Sequence, residues 1–556
     1  MRKLATLALP AALAALFGQQ TPSSGARTGA QIARFHSSVD GSEQPYALYV
    51  PKSFDPAARY PLVVSLHAED SNHRINLRRL FGVANRAGQP DTEDMRYFPP
   101  VADVSYLVAA PFARGTMGYQ GIAEHDVWDM MADVERRFPV DPDRVYLTGI
   151  SMGGAGALWL ALSRPDVWAA VAPLCPTTLP PGAEELLPNA INLPVRIFQG
   201  DEDPIVPVES ARAMQRRLVD AGVAADYVEF PGVRHNAWDL AYRNGAIFEW
   251  FAKYRRDRWP ARVRLRTKSY RQSSAYWLRI DSLTPGTGAS VDAEWAGASA
   301  LKVETREVEG FSVALKEAPA GIVTVTIDGA ALRVKAAAEL SFAKAAGRSG
   351  APVWRSGRTS PPAAGKRPGL EGPIEEVVSG PQIYVYGTLG ATADEVEARR
   401  KLAEAAANWS TPRWRLALAF PVKADTAVTD ADLDSANLVL FGTVATNSVI
   451  ARLAPRLPFA LDPGAADYGL LYVFPAGKHD VLVSSGLPWW TGADDAGRGG
   501  DLFAPPQFRL LASFGDWVLF KGSLGNVVSE GRFDRNWKVP ADAARQIEAA
   551  GTVTVH

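Results

Sequence analysis

Three residues in the first half of the chain have the types, the order and the settings for covalent hydrolysis: Ser151, Asp203 and His235. Ser151 lies in Gly149-Ile150-Ser151-Met152-Gly153, where the strand-like "RVYLT" gives way through a tight turn to the helix-spaced "AGALWLALSRP". A serine on such a strained strand-to-helix turn projects its hydroxyl above a sheet edge, and glycines two residues away on either side remove side chains where backbone crowds backbone. The helix that follows aims its N-terminus, and the N–H of Met152, at negative charge developing on a substrate oxygen. The bland alternative is an ordinary glycine-rich turn, but the strand before and the helix after are the context the motif requires. A serine hydroxyl also needs a base to take its proton, and the base needs an acid to orient it.

In this setting the partners follow in the order Asp or Glu, then His. "GDEDPIVP" comes after the strand-like "VRIFQ", and "YVEFPGVRHNAW" follows it. Asp203 is 52 residues beyond the serine, and His235 is 32 further on. Asp201 and Glu202 are rivals for the acid; Asp203 is preferred because Pro204 and the "IVP" turn fix its loop. The other histidines fit structural roles better: His67 ends a strand and shapes the loop beside the serine, His73 and His125 lie at helix starts, and His36, His479 and His556 lie elsewhere.

These residues need a scaffold. From about Tyr46 to Tyr254, short aliphatic runs ("YPLVVSLH", "YLVAAP", "RVYLTGI", "AAVAPLCP", "VRIFQGD") alternate with helical patterns such as "EHDVWDMMADVERRF" and "SARAMQRRLVDAG". That rhythm predicts a mostly parallel sheet flanked by helices. A chain of 556 residues exceeds one core, so several domains are expected. We read 1–26 as a signal peptide, with its basic head Arg2-Lys3 and a short apolar run. Residues 35–258 form an α/β catalytic domain. Residues 262–343 form a small antiparallel β domain with a hairpin turn at Asp328-Gly329. The Gly/Pro/Ser-rich 345–370 is a linker, and 371–545 a second, smaller α/β domain. A core of about 200 residues is large enough to fold by itself, so cutting near Arg258 is expected to spare activity.

Composition narrows the function. Net charge is −1, so no bulk field favours nucleic acid or anionic membrane, and no apolar run reaches spanning length. The basic run from Lys253 to Arg271 reads as a solvated strand face. Cys175 is the one cysteine, which excludes an internal disulfide and a cysteine-rich metal site. No metal or other cofactor is expected. "YGTLGATADE" and "FGTVATN" could cup an anion but read better as plain strand-to-helix turns. Trp489 and Trp490 could stack on sugar, though packing is the simpler reading.

Residues 46–254 resemble the α/β-hydrolase fold. The carriers are "PLVVSLHAEDSN", "VDPDRVYLTGISMGGAGALWLAL", "WAAVAPLCP", "GDEDPIVPVE" and "FPGVRHNAW". More closely they resemble secreted bacterial esterases of the polyhydroxybutyrate depolymerase and feruloyl esterase type, and the hydrolase domain of the prolyl oligopeptidase family. The resemblance implies Ser151 as nucleophile, Asp203 as acid and His235 as base, in a secreted or periplasmic serine hydrolase. Those enzymes usually carry His-Gly in the oxyanion loop, whereas this chain has His67-Ala68-Glu69. The second oxyanion donor, beside Met152, is then a backbone N–H of Ala68 or Glu69, and the Glu69 carboxylate must point away. "SNHRINLRRLFG" beyond it reads equally as a substrate-side loop and helix start or as a solvated basic helix.

The leading expectation is hydrolysis of a carboxylic ester, small or polymer-attached, through an acyl-serine. A prolyl-oligopeptidase-like peptidase is the second reading. About 45 residues precede Tyr46, too few for the β-propeller such peptidases carry at ~40–50 residues per blade. A third reading keeps the hydrolase fold as a scaffold that binds polysaccharide or a protein partner.

Overall fold

The computed structural model describes residues 27–83, 101–284, 286–317, 321–347, 350–358, 365–411, 416–494, 496–498 and 503–556. The expected signal peptide lies outside them.

The first layered unit is an eight-stranded sheet in the order β1-β2-β4-β3-β5-β6-β7-β8. The strands are β1 (Gly29–His36), β2 (Glu43–Val50), β3 (Tyr60–Leu66), β4 (Leu107–Pro111), β5 (Val140–Ile150), β6 (Ala170–Leu174), β7 (Val195–Gly200) and β8 (Ala225–Phe230). β2 runs antiparallel to both its neighbours, β1 and β4, and β4, β3, β5, β6, β7 and β8 pair in parallel. β3 is buried along its whole length, as a central parallel strand covered on both faces must be. Period-two alternation sends Leu62, Val64 and Leu66 to one face and Val63 to the other. The first face packs on α2 (Ile122–Arg137), α3 (Met152–Ser163) and α4 (Val208–Asp220). The second packs on α1 (His73–Leu80) and Ala246–Phe251. This is the α/β-hydrolase fold. α1 is not a solvated basic helix: Ile75, Leu77 and Leu80 are buried against the sheet, with Arg78 buried among them.

The chain then builds two five-stranded sheets facing each other over one apolar core that includes Val263, Leu265, Phe311 and Phe342. Pro352–Ser356 falls where the sequence reading put a linker. It pairs instead with Glu339–Ala346 as an edge strand, because Trp354 covers Phe311. Farther along that stretch, Lys366 is buried and bonded to Asp516, so these residues are packed. The last unit is a seven-stranded mixed sheet with helices, and Val553–Val555 returns to pair with Phe459–Leu461.

Two features of the junctions escaped the sequence reading. The basic run is the solvated face expected, with Arg255, Arg258, Arg266 and Lys268 exposed, but it is also paired with acids. Arg255, Arg256 and Arg258 bond to Asp141 and Asp143 at the start of β5, and Arg262 and Arg264 share Asp292. Arg271 lies between Glu124 of α2 and Glu376 of the last unit, at 3.6 and 3.3 Å. Secondly, the apolar core of the hydrolase sheet is continuous with that of the last unit. A methyl on Gly121 would fall 2.7 Å from the Phe508 ring, so the two surfaces meet at van der Waals contact just before α2.

Candidate active site

The Gly149–Gly153 turn is a sharp reversal between β5 and α3. Ser151 sits at φ 56°, ψ −115°, a strained region for a residue with a side chain. Its N–H donates to Leu174 O at 2.8 Å, which fixes the turn against the end of β6. A Cβ on Gly149 would lie 2.1 Å from Gly153 O, and one on Gly153 would lie 2.3 Å from Leu66 O. Only hydrogen fits at either position, so the glycine pair is a steric requirement of the turn.

The loop after β7 carries the acid. Asp203 Oδ1 accepts the N–H groups of Ile205 and Val206 at 2.8 and 2.9 Å, the local turn expected of "DPIVP". Its other oxygen accepts from Gln199 Nε2 at 2.9 Å and from His235 Nδ1 at 2.8 Å. Gln199 was not singled out from sequence. A glutamine ending the aliphatic run "VRIF" was the available signal, because a buried amide there needs a partner. Its second amide N–H goes to Val206 O at 2.9 Å, so one side chain ties the acid to its own loop. The rivals are elsewhere: Asp201 accepts from Gly232 N at 2.7 Å and Glu202 is exposed.

His235 is carried over the end of β7 by a loop that passes so close to Gly200 that a Cβ there would meet Val233 O at 2.2 Å. With Nδ1–H facing the carboxylate, Nε2 is left as an acceptor, and Ser151 Oγ stands 3.1 Å from it. The ring meets Trp238 edge-to-face at 5.6 Å, and the Arg79 guanidinium of α1 lies over that indole at 5.0 Å. Tyr242 is buried with its hydroxyl 2.7 Å from Thr148 Oγ1 of β5. Ser151, Asp203 and His235, nominated from order and spacing, therefore form one hydrogen-bonded chain.

The loop after β3 lies on the elbow, since Leu66 pairs with Gly149. His67 is buried with its two ring nitrogens 2.7 and 2.9 Å from Ala68 O and Phe112 O, and burial pushes its pKa down. Tyr119 O–H donates to His67 O at 3.1 Å. Ala68 is buried and Glu69 is exposed, so the carboxylate side chain reaches solvent. Met152 heads α3, where a helix leaves its first N–H groups without intrahelical acceptors.

Cys175, Asp203 and His235 have donor atoms within 4.8 Å of one another, the one such His/Cys/carboxylate group among the described residues. It makes a poor metal site. Asp203 and His235 already bond each other, and burial followed by the nearby Asp203 pushes the thiol up to about 12, so it stays protonated. The two Gly/Thr turns, read as plain strand-to-helix turns, close around a carboxylate of the chain itself. The Asp425 carboxylate accepts from Thr388 N–H and O–H, Thr426 N and Ser448 N between the two turns. Trp489 is buried on Phe441, with Trp490 edge-on to it at the surface.

Residues 117–244 match the model of the Dienelactone hydrolase family. Among curated proteins, Cutinase 1 of Thermobifida cellulosilytica is 33% identical over 101 residues, 18% of this chain and 36% of that protein. Acyl-protein thioesterase 1 of Gibberella zeae is 32% identical over 100 residues, 17% of this chain and 43% of that protein. The chain thus spans roughly a third to two-fifths of the length of these relatives. Among solved structures, a thermostable esterase aligns at 24% identity with TM-score 0.34, covering 41% of this chain and 63% of its own. A ferulic acid esterase from Anaeromyces mucronatus aligns at 15% identity with TM-score 0.31, covering 41% and 92%. By fold and by family match, the first unit is an α/β-hydrolase domain similar to hydrolases of the serine-esterase type.

Proposed function

We propose that the protein is a serine hydrolase that cleaves a carboxylic ester through an acyl-serine intermediate. The observation that carries this reading is the hydrogen-bonded chain from Ser151 Oγ through His235 to Asp203, with the serine on a strained turn at a helix N-terminus. His235 Nε2 takes the hydroxyl proton as Oγ attacks the ester carbonyl. Asp203 holds the Nδ1–H tautomer and stabilises the imidazolium that forms. The Met152 N–H, with a second N–H from Ala68 or Glu69, receives the oxyanion. The imidazolium then protonates the leaving alcohol. Water, deprotonated by the same nitrogen, releases the acid and regenerates the serine. None of these steps calls on a metal or cofactor, and Ala68 in the usual glycine position narrows the loop without removing its N–H.

The names of the curated relatives, cutinases and an acyl-protein thioesterase, favour acyl-ester chemistry over peptide cleavage. The basic head and apolar run of residues 1–26 favour export, so the ester is met outside the cytoplasm. The deciding experiment compares p-nitrophenyl esters of graded acyl length with peptide anilides, on the wild type and Ser151→Ala. Ester turnover lost in the variant is the expected result. Anilide turnover exceeding that of every ester would replace this reading with the peptidase.

A further inference from the structure

One end of the sandwich carries a feature that the hydrolytic site does not use. The approach to its first strand, the turn before Leu278–Leu283, the turn after Ala289–Trp295 and the end of Val308–Ala314 converge there. They line a cavity of about 310 Å³ whose walls include Trp259, Trp277, Trp295, Leu315, Lys316 and Glu317. Trp259 is 37% exposed and Trp295 half-buried, while Trp277 is buried as the floor. The floor is rigid: Trp277 Nε1 donates to Pro260 O at 2.7 Å, and its ring meets Trp295 edge-to-face at 6.1 Å. Trp259 keeps its indole at the surface although full burial would be favourable, and Trp295 is only partly covered.

We propose that this cavity binds a pyranose ring of a polysaccharide, as an anchor separate from the ester site. Three features select that ligand. The indole faces are flat and apolar and match the C–H face of a pyranose. Gly297, Ala298 and Ala314 are small and leave room for one ring rather than a helix or a folded surface. The rim offers one ammonium and one carboxylate, exposed Lys316 and Glu317, so it presents both donors and acceptors with no net charge, as sugar hydroxyls require and as an anion or cation does not. The cavity is also remote from the serine. Its entry strand follows the arginines held by Asp143, and about 25 Å of β5 separates Asp143 from Ser151 at ~3.3 Å per residue. A bound sugar therefore cannot be the scissile ester and serves to hold the enzyme near one.

The test titrates the full-length protein with xylohexaose, cellohexaose, laminarihexaose and mannohexaose, reading tryptophan emission, with p-nitrophenyl acetate turnover measured separately. At least one hexaose is expected to change the emission saturably. Trp259→Ala combined with Trp295→Ala should weaken that binding at least about tenfold and leave p-nitrophenyl acetate turnover as in the wild type. The exposed single variant Trp259→Ala serves if the double variant loses its near-ultraviolet dichroism. Trp490→Ala should change nothing. No saturable response to any of the four sugars, or unchanged affinity in the Trp259 variants, overturns the proposal. Either result leaves the ester assignment standing, because that is read on the other substrate.

Discussion

At the scale of single residues, the site makes two sharp demands. Ser151 is the hydroxyl that faces His235, so a fluorophosphonate probe should label the wild type once, at Ser151. Ser151→Ala should show no label, and equal labelling of both proteins would remove the serine from the mechanism. The acid can be separated from its neighbours in the same way. Asp203→Asn keeps the shape but favours the wrong histidine tautomer, and a loss of roughly 10⁴ in kcat is expected. Asp201→Asn removes only a bond to the Gly232 N–H, so its effect on kcat should be far smaller. Reversed losses would reassign the acid. These three residues were legible in the sequence because each has a local signature: an elbow, a "DPIVP" turn and a histidine in the loop after a strand. Gln199, Trp238 and Arg79 were not, because their roles arise from contacts between segments far apart in the chain.

At the scale of elements, the elbow depends on how closely α3 approaches the sheet. Gly153→Ala would drive a methyl into Leu66 O, and overpacking of this kind costs about 1–3 kcal/mol or more. Denaturant unfolding of the variant should show a midpoint lowered accordingly, and an unchanged midpoint would mean that the turn has slack. In the last unit, Asp480 opens a buried strand. Burial drives its carboxyl up to about 7, with Lys366 pulling it down and Asp516 pushing it further up. An acid raised in the folded state keeps its proton while the unfolded chain has lost it, so stability falls as pH rises from about 4 to about 7. Asp480→Asn should flatten that part of the stability curve, and an identical slope in both proteins would show that Asp480 ionises freely. The α/β rhythm and the hairpin-rich middle were readable from periodicity alone. The strand at Pro352–Ser356 was not, because five residues among Gly, Pro and Ser carry little pattern and pair only because an edge was open.

At the scale of the whole molecule, the sequence divides the chain into three units, and the structure joins them. The apolar core runs from the hydrolase sheet into the last unit, and Arg271 links α2 to Glu376 across the junction. Continuity of this kind cannot be read from a chain that shows only where patterns change. It bears directly on the expectation that the hydrolase unit folds by itself. A chain ending near Arg258 would expose the surface around Gly121 and Ile122 and leave Glu124 without Arg271. Such a chain should be less stable than the full-length protein in thermal unfolding, and its turnover of a small ester should fall with the folded fraction. Equal melting temperatures would show that the shared core adds nothing.

β5 has a place in this assembly that neither end of it suggests separately. Its start holds Arg255, Arg256 and Arg258, which lead into the sandwich, and the chain leaving its far end turns at Ser151. If the sandwich is tethered while solvent drags on the rest, tension enters the hydrolase along the axis of this central strand. Pulled lengthwise, its hydrogen bonds to β3 and β6 are loaded together in shear rather than opened one after another like a zipper. The elbow is thereby mounted on a strand whose bonds to both neighbours share that load, which would help an anchored enzyme keep its serine in register while the substrate surface moves.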